Sequence, residues 1–320
     1  MSHVLVTGGA GFIGSHLVER LLAMPGRVSV IDDLSTGQTA NLSAIAGDSR
    51  LTLISRKISE CPDLDGLIQT ATSIFHLAAT VGVEYVLQHT SASLQNNLRE
   101  SEILIAAAAR HRVPLLVASS SEVYGKSESF SEDDELVIGP PTVSRWSYAC
   151  SKLMVEFLAL AAARESGLSV IIARLFNTVG PRQSGRYGMV LPRFMKAALA
   201  GKPLRVFGDG RQSRCFCWVG DTVEALLRLQ QTPDAWGGIV NVGSTNPISI
   251  LDLANLVKTR LNSPSEIQLV PYDQAYGPGF EDLRHRCPDV SKLSRLTGFK
   301  PSTTLEEIID RTRMAAGPPE

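Results

Sequence analysis

The chain has 320 residues, which at roughly 150 residues per domain suggests about two domains. Hydrophobic residues make up 44% and charged residues 20%, ordinary proportions for a soluble globular protein. Thirty-one Lys plus Arg against 32 Asp plus Glu leave a net charge of −1, which argues against a nucleic-acid or anionic-membrane surface.

His3 to Thr7 is an apolar run, followed by a glycine cluster and a helical stretch from Phe12 to Met24. Arg27 to Ile31, Leu51 to Ile54, Ser73 to Leu77, Leu115 to Ala118 and Ser169 to Ala173 read as further strands. Helical stretches lie between them at Leu64 to Thr70, Leu94 to Arg112 and Trp146 to Glu165. Apolar strands with little alternation, separated by helices, predict a parallel sheet covered on both faces. The expected fold class is therefore α/β, a Rossmann-like doubly wound sheet over residues 1–176. Beyond Phe176 the rhythm shortens, and residues 177–320 read as a smaller mixed substrate domain, with the segment near 215–245 returning to the first. A helix is expected from Thr222 to Leu229, a strand from Gly238 to Val242, and a helix from Ile250 to Leu261 capped by Ser249. Ser127 to Glu135, acidic and polar, reads as a solvated loop.

Gly8, Gly11 and Gly14 fall in a GxxGxxG spacing between the first strand and the first helix. That context suits a tight turn, a backbone close to a pyrophosphate, and a helix N-terminus aimed at its charge. Asp32 and Asp33 end the second strand, where a carboxylate accepts from an adenosine ribose and repels a 2′-phosphate. The implied cofactor is NAD rather than NADP.

Tyr148 and Lys152 form a YxxxK pair that shares one helix face. An ammonium beside a phenol favours the phenolate, so Lys152 is expected to lower the Tyr148 pKa and make it an acid/base. Ser119-Ser120-Ser121-Glu122 follows an apolar strand directly, and carboxyl ends of parallel strands are where such sheets place their chemistry.

TGGAGFIGSHL, HLAA, SSSEVYG, YACSK and ARLFNTVGPR together resemble the extended short-chain dehydrogenase/reductases that modify nucleotide sugars, over nearly the whole chain. The resemblance implies an enzyme with a held NAD that oxidises a sugar C4 hydroxyl. It implies a cofactor site of Gly8, Gly11, Phe12, Ile13, Gly14, Asp32, Leu77, Ala78, Ala79, Asn97, Tyr148 and Lys152. It makes Ser120 the hydroxyl partner of Tyr148, puts Ser121 and Glu122 in the catalytic set, and gives Asn177, Arg214 and Arg286 to the nucleotide sugar. An Arg fork suits a diphosphate or carboxylate. Three positions depart from the family pattern: Lys57-Ile58 stands where an acid usually reads adenine, Cys215 follows Arg214 where Asp is common, and Val179 replaces a common Tyr.

The Ser121-Glu122 pair resembles that of UDP-glucuronate decarboxylases; hexose 4,6-dehydratases carry Asp-Glu, and simple hexose 4-epimerases lack the acid. SRWSYACSK resembles apiose/xylose synthases. Tyr276 to Asp282, followed by His285-Arg286-Cys287-Pro288, resembles the decarboxylase domain of a bacterial lipid A-modifying enzyme. The implied reaction is UDP-glucuronate decarboxylation, with Arg286 on the sugar carboxylate and Glu122 a base or proton carrier near C5. The alternative is UDP-sugar 4-epimerisation, of UDP-glucuronate or UDP-glucose. A second class, an inactive NAD-binding scaffold, would have lost the Tyr, the Lys or the hydroxyl.

No apolar run approaches the ~20 residues of a spanning helix, and the N-terminus lacks a basic n-region, so neither membrane insertion nor a signal peptide is expected. Five cysteines without a CxxC suit a cytoplasmic setting and no metal site. Cys150 reads as a buried packing residue, Cys215 and Cys217 as neighbours on one strand face, and His76 as a strand residue. The resemblance also implies a homodimer packed through Leu94 to Arg112 and Leu153 to Ala163.

Overall fold

The computed structural model describes residues 2–80, 89–184, 189–276 and 284–315. The Gly277 to Asp282 part of the motif singled out above lies outside them.

The chain starts with β1 (His3–Thr7), α1 (Phe12–Leu22), β2 (Arg27–Ile31) and β3 (Leu51–Ile54). There follow α2 (Leu64–Thr70), β4 (Ser73–His76), α3 (Thr90–His111), β5 (Leu115–Ser120), α4 (Trp146–Ser166) and β6 (Val170–Leu175). With β11 (Ile239–Val242), these strands form one seven-stranded sheet in the order β11-β6-β5-β4-β1-β2-β3. Every pairing in it is parallel. The reversal of strand order lies between β1 and β4, the place where doubly wound sheets open a crevice at their carboxyl ends.

Alternation along β1 explains its unbroken apolarity. Leu5 joins the core made with Leu104 of α3 and Val155 of α4, while Val6 joins the core on the other face with Leu17 of α1. Both faces are buried, so both phases of the strand must be apolar. Each fully buried Leu of this kind contributes about 1.5–3 kcal/mol. The opposite face is completed by Leu226 of α6 (Val219–Gln231) and Leu293 of α9 (Ser291–Thr297). Thus α6 and β11 come from the second half of the chain but serve the central sheet.

The remaining elements are short. They comprise β7 (Thr178–Val179), α5 (Val190–Leu199), β8 (Leu204–Phe207), β9 (Ser213–Cys215), β10 (Cys217–Trp218) and β12 (Pro247–Ser249). The chain continues with α7 (Ile250–Arg260), β13 (Ile267–Val270), α8 (Tyr272–Tyr276), β14 (His285–Arg286) and α10 (Leu305–Ala315). They pair as β10-β7, β12-β9-β14 and β13-β8 around a separate core of Phe194, Val206, Leu253 and Ile308. Ser249 caps α7 as expected: its Oγ accepts from the Asp252 N–H at 3.0 Å.

Two sequence expectations change here. Cys215 and Cys217 do not share a strand. The chain breaks at Phe216, so Cys215 pairs into the β12-β9-β14 sheet and Cys217 into β10-β7. The acidic stretch Ser127 to Glu135 is not simply solvated. Phe130 is buried against Tyr124 and Phe176, and the Glu132 carboxylate accepts from the Asn241 N–H at 2.7 Å. An aromatic and a paired acid inside a polar stretch anchor it to β11.

Candidate active site

The glycine turn runs from β1 into α1. Gly8 holds φ +72°, and a Cβ there would lie 2.7 Å from the Ala78 nitrogen at the end of β4. A Cβ on Gly14 would lie 2.1 Å from the Gly8 carbonyl oxygen. The turn therefore admits no side chain at either position, leaving bare backbone and the N-terminus of α1 facing the cleft. Gly11, Phe12, Ile13, Asp32, Leu77, Ala78 and Ala79 line the same cleft. Asp32 closes β2, accepting from Ala10 N and Leu34 N at 2.9 Å each. Burial raises its pKa, and those two bonds pull the other way. Arg56, Lys57 and Ile58 line this end too. The set fits a dinucleotide: a crowded glycine backbone for the pyrophosphate and one buried carboxylate beyond it for the ribose.

Asn97, on α3, lines the cleft and holds it open. Its Oδ1 accepts from Thr80 N at 2.7 Å, and its Nδ2 donates to Thr80 O and Ser151 Oγ at 3.3 Å each. His76 bridges Thr7 Oγ1 at 2.7 Å and Ser101 Oγ at 2.8 Å. Fully buried, it is pulled down to about 3 by desolvation and by Lys152, and so stays neutral.

The tip of β5 faces α4. Ser120 caps the 3-10 turn Ser121–Tyr124, its Oγ accepting from the Glu122 N–H at 3.2 Å, and its hydroxyl is coupled to the Tyr148 phenol. Lys152 Nζ donates to Ala118 O at 2.9 Å. The expected Lys152 effect on Tyr148 is not what governs the phenol. Burial, then the Glu122 charge, push Tyr148 above its ordinary range, with the Ser120 bond opposing them. Burial likewise pulls Lys152 down to about 8, against the Glu156 charge. The phenol is thus in its acid form, the form that returns a proton to a sugar oxygen.

The other wall is charged. Arg286 Nη1 donates to Glu122 Oε1 at 2.6 Å, and Arg145 Nη2 lies 3.7 Å from Glu122 Oε2. Burial opposes ionisation of Glu122, but Arg286, Arg145 and Arg214 outweigh it and hold it at about 2. The expectation of Glu122 as a proton carrier is corrected to this extent: paired so, it is a poor base. Ser121 Oγ sits 3.5 Å from Arg286 Nη1. Arg286 is only 4% exposed, yet its Nε and Nη2 have no hydrogen-bond partner among the described residues. Buried donors of that kind are costly unless a ligand meets them. Asn177, at φ +30°, lines the cleft while its Nδ2 donates to Cys215 O at 3.0 Å. Arg214 stands beside Arg286 in the parallel β9–β14 pair, with its Nη1 donating to Ser213 O. It reaches the site as a charge on Glu122.

Two cysteine readings complete the comparison. Cys150 is exposed, not buried. Burial, and then the neighbouring Cys287, push the Cys215 thiol up. Among the described residues no His/Cys/Asp/Glu cluster could hold a metal, and no helix is long and apolar enough to cross a membrane.

The sequence model of the NAD dependent epimerase/dehydratase family matches residues 4–243. The chain belongs to this family. Family membership makes it an NAD-dependent enzyme of the extended short-chain dehydrogenase/reductase type. It is 37% identical over 310 residues to a UDP-N-acetyl-alpha-D-glucosaminuronate decarboxylase of Bacillus cytotoxicus, covering 96% of this chain and 95% of that one. It is 32% identical to UDP-glucuronic acid decarboxylase 1 of Danio rerio, covering 97% and 71%. Among solved structures, UDP-glucuronic acid 4-epimerase from Bacillus cereus, in complex with UDP-glucuronic acid and NAD, superposes with a TM-score of 0.88 at 28% identity, covering 98% of each chain.

Against this family background, two groups in the cleft region escaped the sequence reading. Arg145 lies inside the SRWSYACSK stretch, three residues before Tyr148, and lines the cleft. Glu156 lies four residues after Lys152, so the 148-152-156 spacing already placed it on the catalytic face.

Proposed function

We propose that the protein is an NAD-dependent UDP-uronate decarboxylase, acting on UDP-glucuronate or its 2-acetamido counterpart. The observation that carries this reading is Arg286: a buried guanidinium with two unpartnered donors, in the same cleft as Tyr148 and Ser120. A planar carboxylate fits that fork. Both decarboxylase relatives support the same chemistry.

NAD+, held at the glycine end by Gly8, Gly11, Gly14 and Asp32, supplies the hydride acceptor for C4. The chain's own residues do the rest. After its phenol has released its own proton to the cleft, a step the Lys152 charge favours, Tyr148 takes the C4 hydroxyl proton, with Ser120 bonded to the same oxygen. The resulting C4 ketone is β to the carboxylate on C5. When the C5–C6 bond breaks, CO2 leaves and the electron pair passes into an enolate whose oxygen Ser120 and Tyr148 stabilise. A solvent proton then reaches C5, and when C4 takes the hydride back Tyr148 returns a proton to its oxygen, so the net loss is CO2. Arg286 holds the carboxylate and meanwhile keeps Glu122 ionised. Asn177 and Arg214 face the rest of the nucleotide sugar.

A second reading, UDP-uronate 4-epimerisation, shares the oxidation and the same parts; the Bacillus cereus structure favours it. Incubation with UDP-glucuronate, UDP-N-acetylglucosaminuronate and UDP-glucose, read by mass and proton NMR, separates them. Decarboxylation removes the mass of CO2 from the uronates. Unchanged mass with an inverted C4 assigns the epimerase, and no turnover of any of the three overturns both.

The division into a dinucleotide half over residues 1–176, with 215–245 returning to it, and a sugar half over 177–320 belongs to the same proposal. So does a homodimer in a cytoplasmic setting: Cys150, Met154 and Phe157 form an exposed stripe on α4, with Phe157 59% exposed. Sedimentation at micromolar concentration tests it, and a Phe157→Asp variant is expected to sediment as monomer.

A further inference from the structure

Three successive residues at the tip of β5 are each tied to a different side chain of one face of α4. The Ala118 carbonyl accepts from Lys152 Nζ at 2.9 Å, the Ser119 hydroxyl donates to Glu156 Oε1 at 2.5 Å, and the Ser120 hydroxyl is coupled to the Tyr148 phenol, whose pKa it lowers. Tyr148, Lys152 and Glu156 recur every four residues, so a single helix face carries all three ties. The middle one reaches deepest. Glu156 is 2% exposed, and Arg174 of β6 clamps it from below, with Nε to Oε1 at 3.0 Å and Nη2 to Oε2 at 2.8 Å.

Strand register makes this possible. Ser119, Arg174 and Asn241 are direct neighbours across β5, β6 and β11. Their side chains therefore emerge in one row on one face of the sheet. Arg174 also lies 4.8 Å over the Tyr124 ring, whose hydroxyl donates to Asn241 Oδ1 at 2.8 Å. An arginine and a glutamate sealed inside a parallel α/β core are costly. Replacing such a pair with apolar side chains is often neutral or stabilising, so stability does not account for its presence here.

We propose that Glu156 is a positioning residue for the Tyr148–Lys152 pair: it fixes the β5 tip against α4 and supplies the buried negative charge that keeps Lys152 protonated. Among the described residues, the groups facing Lys152 leave no other source of that charge. On its own helix they are Tyr148, a protonated phenol, and Glu156. From β4 comes His76, held neutral. Arg174 pairs with Glu156 and is positive, and Glu122, paired with Arg286, acts on Tyr148 and not on Lys152. Burial alone pulls Lys152 down, and only Glu156 opposes it.

The inference rests on Tyr148 and Lys152 being the acid/base pair of this cleft, but not on which sugar enters it. Its test therefore reads NAD+ binding as well as turnover. An opposite charge at close range moves a pKa by roughly 1–3 units. Glu156→Gln is expected to lower the alkaline limb of the kcat profile by about one pH unit. It is expected to cut kcat about 5-fold at pH 8 with little change in KM, and to recover toward wild type near pH 6.5. NAD+ affinity, followed by fluorescence titration, weakens in the same variant at pH 8.5 and not at pH 6.5. Arg174→Gln, which removes the positive charge and leaves the carboxylate, does not lower the limb. Should Glu156→Gln fail to fold, the double variant Glu156→Met/Arg174→Met removes both charges without leaving either one unpaired and is expected to show the same downward limb. An unshifted limb in the Glu156 variants, or an equal downward shift from Arg174→Gln, reduces Glu156 to packing and overturns the proposal.

Discussion

The two ends of the cleft are built from different materials. At the glycine end the contact surface is backbone: Gly8 and Gly14 press so close to Ala78 and to each other that no side chain fits. At the far end the surface is side-chain charge, with Glu122 set among Arg145, Arg214 and Arg286. The first end is specified by what is absent from a short contiguous stretch. The second is assembled from β5, the start of α4, β9 and β14, four segments far apart in sequence. A backbone site tolerates almost no substitution but recognises a shape common to many dinucleotides. A charged site tolerates more and sets which sugar is accepted.

That contrast is testable. The largest effect is expected where the two ends meet. Tyr148→Phe removes the acid/base and should lower turnover by roughly 10²–10⁴-fold, with bound NAD retained. A stopped-assay comparison of wild type and variant, with NAD released by denaturation and quantified, checks both halves. Gly14→Ala breaks the glycine end alone. Its Cβ must displace the Gly8 carbonyl from 2.1 Å, so NAD+ affinity should fall by about 100-fold or more, on the scale of a shifted buried backbone group. Calorimetric titration against NAD+ decides it, and unimpaired binding would show that the turn relaxes.

Arg286→Ala addresses the charged end alone. Loss of hydrogen bonds to a charged group should weaken UDP-glucuronate by about 1.5–3 kcal/mol and leave UDP-glucose nearly unchanged. Equal weakening of the two ligands would make Arg286 a diphosphate residue and favour the simple hexose epimerase.

The smallest effect concerns stability beneath both ends. His76 is held at about 3 in the folded state, against about 6.5 unfolded. The unfolded chain therefore binds the extra proton between these values, and stability is fully present above 6.5 and is lost as pH falls toward 3. At pH 5 the loss is about 2 kcal/mol. His76→Asn should flatten the fall in Tm between pH 7 and pH 5 while lowering Tm at pH 7 through the lost Thr7 and Ser101 bonds.

The same contrast governs how much could be read before the fold was known. The sheet, the glycine turn, Asp32 and the YxxxK face are local patterns, in which period and spacing carry the information. Arg286 was legible only through a resemblance around His285-Arg286. Its partnership with Glu122 was not, because an ion pair across 164 positions leaves no local trace. Arg174 did leave one: a charged residue in the middle of the apolar run Val170 to Leu175. Read with Glu156, it would have announced a buried pair. The short strands β7 and β14 were missed, and β9 and β10 were read as one strand, for a physical reason. With two or three residues each, they exist by virtue of their neighbours, not their own propensity.

The anchoring of the acidic stretch to β11 bears on the order in which the protein is made. Chains emerge N-terminus first. Residues Gly8 to Lys152, with the whole glycine turn and the tip of β5, are available early. The partners that hold Phe130 are not: its carbonyl accepts from Asn241 Nδ2, 111 positions later, and from the Asp289 N–H. During synthesis the aromatic nest of Tyr124, Phe130 and Phe176 therefore waits uncovered while more than a hundred residues are added. The nascent chain acquires a place for a dinucleotide well before it acquires a wall against which a sugar can rest.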